Sequence, residues 1–326
     1  MKRRAFLLSA AALPLCEPAG LAAVLSPFAS MGHSATIGVL AVGVPGPKAF
    51  LSAFRKGLAK TGFIEGQNIE LVIQSAEGHA SRLPELAADL VARKVDVIVA
   101  FQTPTVAAAK QATSDIPIVM DAGDPVGMGL VDSFARPGGN VTGMSAATAE
   151  LAPKNLELLQ QFVPSFHRVA LFLNKTDPFR KPFLEHAQRG ADRLGIGLIP
   201  VFVDGPADLQ HAFATAVRDN PNAALIQPSL PIKRVAELTL TNRLPAASLT
   251  ETFPQAGGLM SYSADYAELW RHMALYVAKI LKGAKPADLP VAQPTKFNFV
   301  INLKTANTLG LTIPPVILTM ADQTIE

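Results

Sequence analysis

Four short apolar segments of this 326-residue chain end in a polar residue that is followed directly by proline. The four pairs are Thr103-Pro104, Asp124-Pro125, Asp177-Pro178 and Gln227-Pro228. A polar side chain at a helix start binds exposed backbone N–H groups, and proline fits the first turn because its missing N–H donor is not needed there. Such a helix start can also hold an anion, and a nearby carboxylate can hold an ammonium group. The pattern therefore indicates non-covalent recognition of a small polar molecule.

The first half of the chain offers candidates for binding a carboxylate and for binding an ammonium group. Thr103 and Thr105 flank Pro104 at a predicted helix start, where hydroxyl and N–H donors could bind a carboxylate. Asp121 and Asp124 belong to the next strand-end loop, where a carboxylate could pair with an ammonium group. Capping of the helix or the turn explains each residue equally well, and the two roles can coexist.

The second half of the chain places further polar residues at equivalent strand ends. Asn174, Asp177 and Ser229 lie there, whereas Glu251 and Tyr262 fall in segments that we expect to cross between lobes. The complete set of candidate ligand-binding residues is Gln102, Thr103, Thr105, Asp124, Asn174, Asp177, Ser229, Glu251 and Tyr262. For each of them taken singly, a structural role is at least as good an explanation.

The sequence contains no pattern that indicates a metal site or a catalytic centre. Its six histidines form no HExxH or HxH spacing and have no carboxylate at ligand spacing. It has neither a GxSxG turn nor a P-loop lysine motif, and the loop 127–129 lacks the third glycine of a dinucleotide-binding loop. We therefore expect a binding protein without a cofactor. An enzyme on the same scaffold stays an alternative, because a fold by itself does not exclude catalysis.

Two series of alternating strands and helices position these residues. The predicted strands of the first series are 36–42, 69–74, 96–101 and 117–121, and its predicted helices are 47–60, 82–93 and 104–112. The predicted strands of the second series are 168–173, 196–203 and 223–227, and its predicted helices are 153–162, 178–194 and 207–218. This alternation predicts parallel, doubly wound sheets, which bind ligands at the carboxyl ends of their strands. The remaining segment, 245–326, is expected to cross between the two lobes and complete each sheet.

The charge distribution and the first residues favour an exported protein over one that binds nucleic acid. The 29 basic and 26 acidic residues give a net charge of +3, and Lys2, Arg3 and Arg4 supply much of it, so the rest is close to neutral. The segment 1–16 is basic and then apolar, as in an export signal, and Arg3-Arg4 resembles a twin-arginine signal. An uncleaved membrane anchor is the alternative, but Pro14 interrupts the apolar run.

The only cysteine, Cys16, lies inside this predicted leader. Lipid attachment at Cys16 is an alternative that the preceding Leu13-Pro14-Leu15 disfavours, because such sites prefer small residues. The chain that follows has no cysteine, which excludes disulfides, thiolate metal sites and cysteine nucleophiles from it. We expect residues 1–35 to be an export signal and linker and the protein to work in the periplasm.

Six longer segments carry a family resemblance. They are EGQNIELVIQSAEG, RLPELAADLVARKVDVIVA, TPTVAAAKQATSDIPIVM, GDPVGMGLVDSFARPGGNVTGMS, AGGLMSY and ILKGAKPADLPVAQPTKFNFVINLKTANTLGLTIPP. Together they resemble the ABC-transporter substrate-binding protein family that includes tryptophan-binding TrpX-like members, and the likeness runs over 36–326. The resemblance implies an α/β fold of two doubly wound parallel-sheet lobes joined by a three-segment hinge, the type I periplasmic-binding-protein fold.

The resemblance also implies lobe boundaries and residue roles. The N-terminal lobe is expected to comprise 36–143 plus 255–287 and the C-terminal lobe 144–254 plus 288–326, with the hinge near Gly143, 248–254 and 285–294. By analogy with the family, Thr103 and Thr105 bind the ligand's carboxylate, Asp124 its amino group, and Asn174 another polar group. Ser229 and Ser248 depart from the family pattern, in which an acidic and an aromatic residue respectively are common.

The function that this resemblance implies is that of an extracytoplasmic solute-binding protein of an ABC importer. It would bind an amino acid, or another aromatic or carboxylate compound, in the interlobe cleft by hinge closure. The expected partners are that small molecule and an ABC permease in the inner membrane, with no nucleic acid, and the protein is expected to be a monomer. A ligand sensor that is not coupled to transport is the alternative within the class of binding proteins.

Overall fold

The computed structural model describes residues 34–43, 48–163 and 165–326. The predicted export signal, its Arg3-Arg4 pair and Cys16 lie outside these ranges. Within them, no helix combines the length and the apolar character that crossing a membrane requires.

Strands and helices alternate through most of the described chain. The strands are β1 (Ala35–Ala41), β2 (Ile69–Ser75), β3 (Val97–Phe101), β4 (Ile118–Ala122), β5 (Val141–Ser145), β6 (Arg168–Asn174), β7 (Gly197–Val203), β8 (Ala223–Ile226), β9 (Ala246–Ser248), β10 (Met260–Ala264), β11 (Phe297–Asn302) and β12 (Gln323–Ile325). The helices are α1 (Lys48–Ala59), α2 (Leu83–Ala92), α3 (Thr103–Ala112), α4 (Thr148–Gln160), α5 (Arg180–Leu194), α6 (Leu209–Arg218), α7 (Ile232–Thr241), α8 (Thr252–Gln255), α9 (Tyr266–Leu281), α10 (Leu303–Leu309) and α11 (Pro315–Met320).

The first lobe contains a five-stranded, fully parallel sheet in the order β2-β1-β3-β4-β5. Every residue of β3, β4 and β5 is buried, as expected for strands that helices cover on both faces. Helices α2 and α3 cover one face, where Leu90 and Val106 share a buried cluster with Ile98. Helices α1 and α9 cover the other face, and α9 approaches so closely that a Cβ on Gly57 would lie 2.6 Å from the Ala274 Cβ.

The second lobe contains a seven-stranded sheet in the order β12-β11-β10-β9-β8-β6-β7. All of its pairs are parallel except that between β10 and β11, which is antiparallel. Helices α4, α5, α10 and α11 share one buried cluster, and α6, α7 and α8 share the other. The α/β fold with two parallel-sheet lobes is therefore confirmed, with one antiparallel pair added.

Helix α4 begins five residues before its predicted start, because Pro153 lies inside the helix and not in its first turn. A Cβ added to Gly190 would lie 2.9 Å from the Cα of Pro153. The absence of a side chain at that glycine therefore lets α5 pack against α4 at the proline. Strands β5 and β10 and helix α7 were not predicted individually.

The chain crosses between the lobes three times. The first crossing lies between Ser145, the last residue of β5, and Thr148, the first residue of α4. The second lies at Asp265, because β10 pairs with β9 and β11 in the second sheet whereas α9 packs on the first lobe. The third follows Ala292, whose backbone pairs with Gly143 and Ser145 of β5.

These positions correct two of the expected boundaries. Residues 255–264 belong to the second lobe and not to the first, and 289–292 bond to the first lobe and not to the second. The second crossing therefore lies at Asp265 and not within 248–254. The sequence does not indicate a strand at β10 because its residues, MSYSA, have little of the apolar character that marks the other buried strands.

Candidate functional site

The two lobes touch at the carboxyl ends of their strands. Gly123 follows β4 in the first lobe, and Phe179 precedes α5 in the second. A Cβ placed on Gly123 would lie 2.5 Å from the tip of the Phe179 ring, so the ring packs directly on the glycine backbone. The ring is 4% exposed and also packs on Phe183 within its own lobe. Parallel α/β sheets bind ligands at this edge, and here the edges of both sheets meet.

Tyr266 forms a second contact between the lobes. It is the first residue of α9, and its hydroxyl lies 3.4 Å from the backbone oxygen of Leu249, which follows β9. Burial raises the pKa of Tyr266, the carboxylates of Asp121 and Glu251 add to the shift, and a hydrogen bond with Thr148 opposes it. The phenol of Tyr266 is thus close to a carboxylate of each lobe.

Asp121 is the next-to-last residue of β4 and carries a buried carboxylate without a compensating charge. The residue is 4% exposed, and its Oδ1 has no hydrogen-bond partner. Burial alone raises the pKa of this carboxyl to about 7. A buried carboxylate normally has hydrogen bonds or a cation to offset its desolvation. Asp121 is therefore the strongest candidate for a group whose missing hydrogen bond or counter-charge comes from a bound molecule.

The start of α3 lies beside Asp121. The N–H of Gln102 donates to the Asp121 backbone oxygen at 2.8 Å, and the Thr103 hydroxyl accepts from the Gly123 N–H at 3.3 Å. Gln102 has φ 72° and ψ 140°, a conformation that only glycine adopts readily. Such strain concentrates at functional sites because the surrounding structure must enforce it.

Thr105 and Asp124 are engaged in local structure. The Thr105 hydroxyl points at the backbone oxygens of Phe101 and Gln102, both at 2.8 Å, so its single hydrogen is used within α3. Asp124 is half-buried, and its Oδ1 accepts from the Gly127 N–H at 2.9 Å, which caps the turn after β4. The capping explanation thus accounts for both, and Thr105 has no donor left for a carboxylate.

In the second lobe, the side chains of Gln227 and Asp177 form a network with backbone N–H groups at the ends of β6 and β8. Gln227 is fully buried; its Oε1 accepts from the Asn174 N–H at 2.8 Å, and its Nε2 donates to Asp177 Oδ2 at 2.7 Å. Asp177 Oδ1 accepts from the Phe179 N–H at 2.9 Å. Burial raises the pKa of Asp177, and the neighbouring Ser229 hydroxyl opposes the shift. This network fixes the loop that carries Phe179.

We expect Gln227→Ala to reduce the free energy of unfolding by about 2–3 kcal/mol, because it leaves the Asn174 N–H and one Asp177 oxygen buried without partners. Urea unfolding measures this loss. The matched control is Gln188→Ala, whose amide bonds Asp192 on the exposed face of α5 and whose loss should change stability by less than about 0.5 kcal/mol. Equal stability of the two variants would show that the network does not hold this loop.

Glu251 and Tyr262 have different surroundings. Glu251 is half-buried and accepts a hydrogen bond from the Asn298 amide at 2.7 Å; burial raises its pKa. The Tyr262 ring stacks on Phe297, with centroids 5.9 Å apart, and packs against the core of the second lobe. Its backbone binds the Asn155 side chain. Tyr262 is therefore a packing residue of the second lobe, whereas Glu251 lies near the interlobe contact.

The structure thus sorts the predicted residues into two groups. Those close to the interlobe contact are Gln102, Thr103, Asn174, Asp177, Ser229 and Glu251. Those engaged in capping or packing within one lobe are Thr105, Asp124 and Tyr262. Sequence reasoning missed Phe179 and Tyr266. It named Gln227 in the polar-then-proline pattern but did not include it among the candidate ligand-binding residues. Among the described residues, no three His, Cys, Asp or Glu side chains are grouped so as to hold a metal ion.

Two α/β lobes, three crossings and a polar contact region at the strand ends define a two-lobed ligand-binding protein of the type I periplasmic-binding-protein fold. The family model described as ABC transporter substrate binding protein matches residues 37–325, and the chain belongs to this family. Its members are binding proteins and not enzymes; they act outside the cytoplasm, bind a small molecule and in general work with a permease.

Comparison with known proteins agrees with this assignment. A protein of Clostridioides difficile (strain R20291) described as tyrosine-binding protein is 28% identical over 264 residues, which cover 79% of this chain and 75% of that protein. A Streptococcus pneumoniae structure described as an ABC domain in complex with L-Trp is 27% identical, with TM-score 0.81, covering 90% of this chain and 100% of the other. A Vibrio cholerae protein is 28% identical, with TM-score 0.82, covering 89% and 99%.

Proposed function

We propose that this protein binds an amino acid with an aromatic side chain between its two lobes and delivers it to an ABC permease. The observation that carries the proposal is the contact of the two lobes at their strand ends, through Phe179 on Gly123 and Tyr266 near Leu249. The relatives described as binding tyrosine and L-Trp support the ligand class.

The residues proposed to contact the ligand come from both lobes. From the first lobe, the start of α3 with Gln102 and Thr103 offers hydrogen-bond donors for the ligand's carboxylate. From the second lobe, Asn174, Ser229 and Glu251 lie close enough to the interlobe contact to complete the site. Asp177 and Gln227 support this site by holding the loop between β6 and α5.

The proposed mechanism is closure of the lobes around the ligand. Three crossings connect the lobes, and small backbone rotations in them would open and close the cleft. An aromatic side chain of ~200 Å², buried at ~25 cal/mol/Å², contributes about 5 kcal/mol. Micromolar binding requires about 8 kcal/mol, so hydrogen bonds to the polar groups of the amino acid supply the difference after ordering costs.

A thermal-shift screen followed by calorimetry tests the ligand class. The protein is unfolded and refolded to remove any bound molecule, and then mixed with amino acids, aromatic acids, short amides and nucleosides. We expect L-tryptophan or L-tyrosine at 1,000 times its Kd to stabilise the fold by about 4 kcal/mol and to raise Tm by about 5 °C or more. A shift with another class of compound, and none with amino acids, would contradict the proposed ligand.

Delivery to a permease is tested in cells. Uptake of the radiolabelled ligand should fall when the protein is removed and return when it is supplied again. Unchanged uptake, together with preserved binding in vitro, would favour a ligand sensor over a transport component.

We further propose that the chain is exported by the twin-arginine route and works as a monomer that does not bind nucleic acid. The Arg3-Arg4 pair supports the route, and the near-neutral charge beyond the leader supports the absence of nucleic-acid binding. Continued export of a variant carrying lysine at both arginine positions would exclude the route. Sedimentation of the mature protein as a dimer would exclude the monomer.

A further inference from the structure

The Asp121 carboxylate is enclosed by uncharged groups. Val119, two residues earlier on the same face of β4, packs in the cluster that contains Phe50, Phe101 and Met144. The titratable groups that the structure places near Asp121 are the Tyr266 phenol of α9 and, beyond it, the Glu251 carboxylate of the second lobe. Neither of these groups is a cation.

The described residues supply no positive charge to Asp121. The carboxylate takes part in no ion pair or side-chain hydrogen bond within the described ranges, and its Oδ1 is sealed from solvent. Lys296, a cation that acts on the Glu251 carboxylate, is already paired with Asp265 at 3.1 Å. An uncompensated carboxylate of this kind is costly, and a cation from a bound molecule would remove the cost.

Donors for an anion lie next to this carboxylate. Phe101 of β3 pairs with Asp121 of β4 in the parallel register, so Gln102 and the start of α3 are one strand away, about 5 Å. The Gln102 N–H donates to the Asp121 backbone oxygen, which fixes the start of α3 beside the end of β4. The positive end of α3 and a negative carboxylate are therefore neighbours. An α-amino acid carries the complementary pair of charges, an ammonium and a carboxylate on one carbon atom.

We infer that Asp121, and not Asp124, is the counter-charge for the ligand's protonated amine, so that the site selects amines over amine-free analogues of the same shape. This inference rests on the proposed function. Asp124 is the poorer candidate because its carboxylate caps the turn at Gly127 and is half-exposed. A buried carboxylate also rejects neutral ligands, since binding them would leave its desolvation unrelieved.

The test measures the affinity of L-tryptophan, L-tyrosine and their deaminated analogues, indole-3-propanoate and 3-(4-hydroxyphenyl)propanoate, by calorimetry. For the wild-type protein we expect the amino acids to bind at least about 100-fold more tightly than the analogues. In Asp121→Asn, which keeps the shape and removes the charge, the affinity for the amino acids should fall by about 100-fold and the preference should shrink to less than about tenfold.

Two further variants make the test specific. The matched control is Asp115→Asn, which lies before the opposite end of β4 and is exposed; it should leave both affinities unchanged. If Asp124→Asn loses the preference for amines while Asp121→Asn keeps it, Asp124 is the counter-charge and the inference is wrong. If Asp121→Asn does not fold, the wild-type comparison still decides, because equal affinity for amino acids and deaminated analogues would overturn the inference.

The outcomes separate this inference from the proposed function. Binding of a non-aromatic amine that is lost in Asp121→Asn would support the inference and contradict aromatic specificity. Tight wild-type binding of an amine-free compound, unchanged in Asp121→Asn, would overturn both. Binding of L-tryptophan or L-tyrosine that is unchanged in Asp121→Asn would uphold the proposed function and overturn the inference alone.

Discussion

Gly123→Ala is expected to weaken ligand binding by about 5- to 150-fold while both lobes stay folded. The new methyl group would meet the buried Phe179 ring, with its nearest atoms 2.5–2.9 Å away, so this contact between the lobes becomes overpacked. Overpacking of a well-filled contact costs about 1–3 kcal/mol, which is the source of the expected loss in affinity. The φ of Gly123 lies outside the left-handed region, so alanine brings no backbone strain of its own.

Calorimetry measures the affinity of Gly123→Ala, and small-angle X-ray scattering measures whether ligand still makes the protein more compact. Phe179→Leu, which lacks the ring atoms that would clash, should restore part of the affinity when combined with Gly123→Ala. The matched control is Gly197→Ala in β7, where a Cβ would come no closer than 3.7 Å to any atom. Undiminished affinity in Gly123→Ala would mean that the ligand-bound protein does not contain the Phe179–Gly123 contact.

Asp121→Asn is expected to make the ligand-free protein more stable than the wild type at pH 8. The free energy of unfolding of the variant, minus that of the wild type, should be larger at pH 8 than at pH 4 by up to ~4 kcal/mol. Burial raises the pKa of Asp121 to about 7 in the folded protein, against 3.8 when unfolded. Between these two values the folded protein holds a proton that the unfolded chain has released. Wild-type stability therefore falls as the pH rises from about 4 to about 7, and then stays level with respect to this group. Asparagine does not titrate, so the variant lacks this loss.

Urea unfolding of both proteins at pH 4, 6 and 8 gives the difference directly. Asp177 and Glu251 also have raised pKa values because of burial, but they are present in both proteins and cancel in the comparison. Saturating L-tryptophan or L-tyrosine should abolish the advantage of the variant, because an ammonium group would stabilise the wild-type carboxylate. A difference that does not change with pH would show that Asp121 keeps an ordinary pKa in the folded protein.

Much of the fold could be predicted because the relevant signals are local. Alternating apolar strands and amphipathic helices identified β1 to β4, β6 to β8 and the helices between them, and the buried pattern of β3 agrees with a strand covered on both faces. Local sequence patterns did not predict elements whose pairing partners are distant in the chain. Strand β10 became recognisable only through its pairing with β9 and β11, so the second crossing lies at Asp265 and not before it.

The candidate site could be predicted only in outline. Thr103 and Thr105 look alike in the sequence, yet the Thr105 hydroxyl donates to carbonyls one turn earlier in the chain, whereas the Thr103 hydroxyl accepts from the Gly123 N–H just after the next strand. Tyr262 and Tyr266 are also close in the sequence. Tyr262 packs in the core of the second lobe, whereas Tyr266 reaches between the lobes. The two differ because β10 ends and α9 begins between these two tyrosines.

The sequence by itself determined that two α/β lobes would place polar residues at their strand ends, because strand, helix and cap preferences depend on residues within a few positions of each other. Only the tertiary structure decided which of those residues is free to meet a ligand. Asp121, in the last part of β4, and Asp124, in the loop that follows it, are close in the sequence, but the first is buried without a partner and the second caps its own turn. Burial and the loss of partners arise from segments that are far apart in the chain, and they exist only once those segments have packed together.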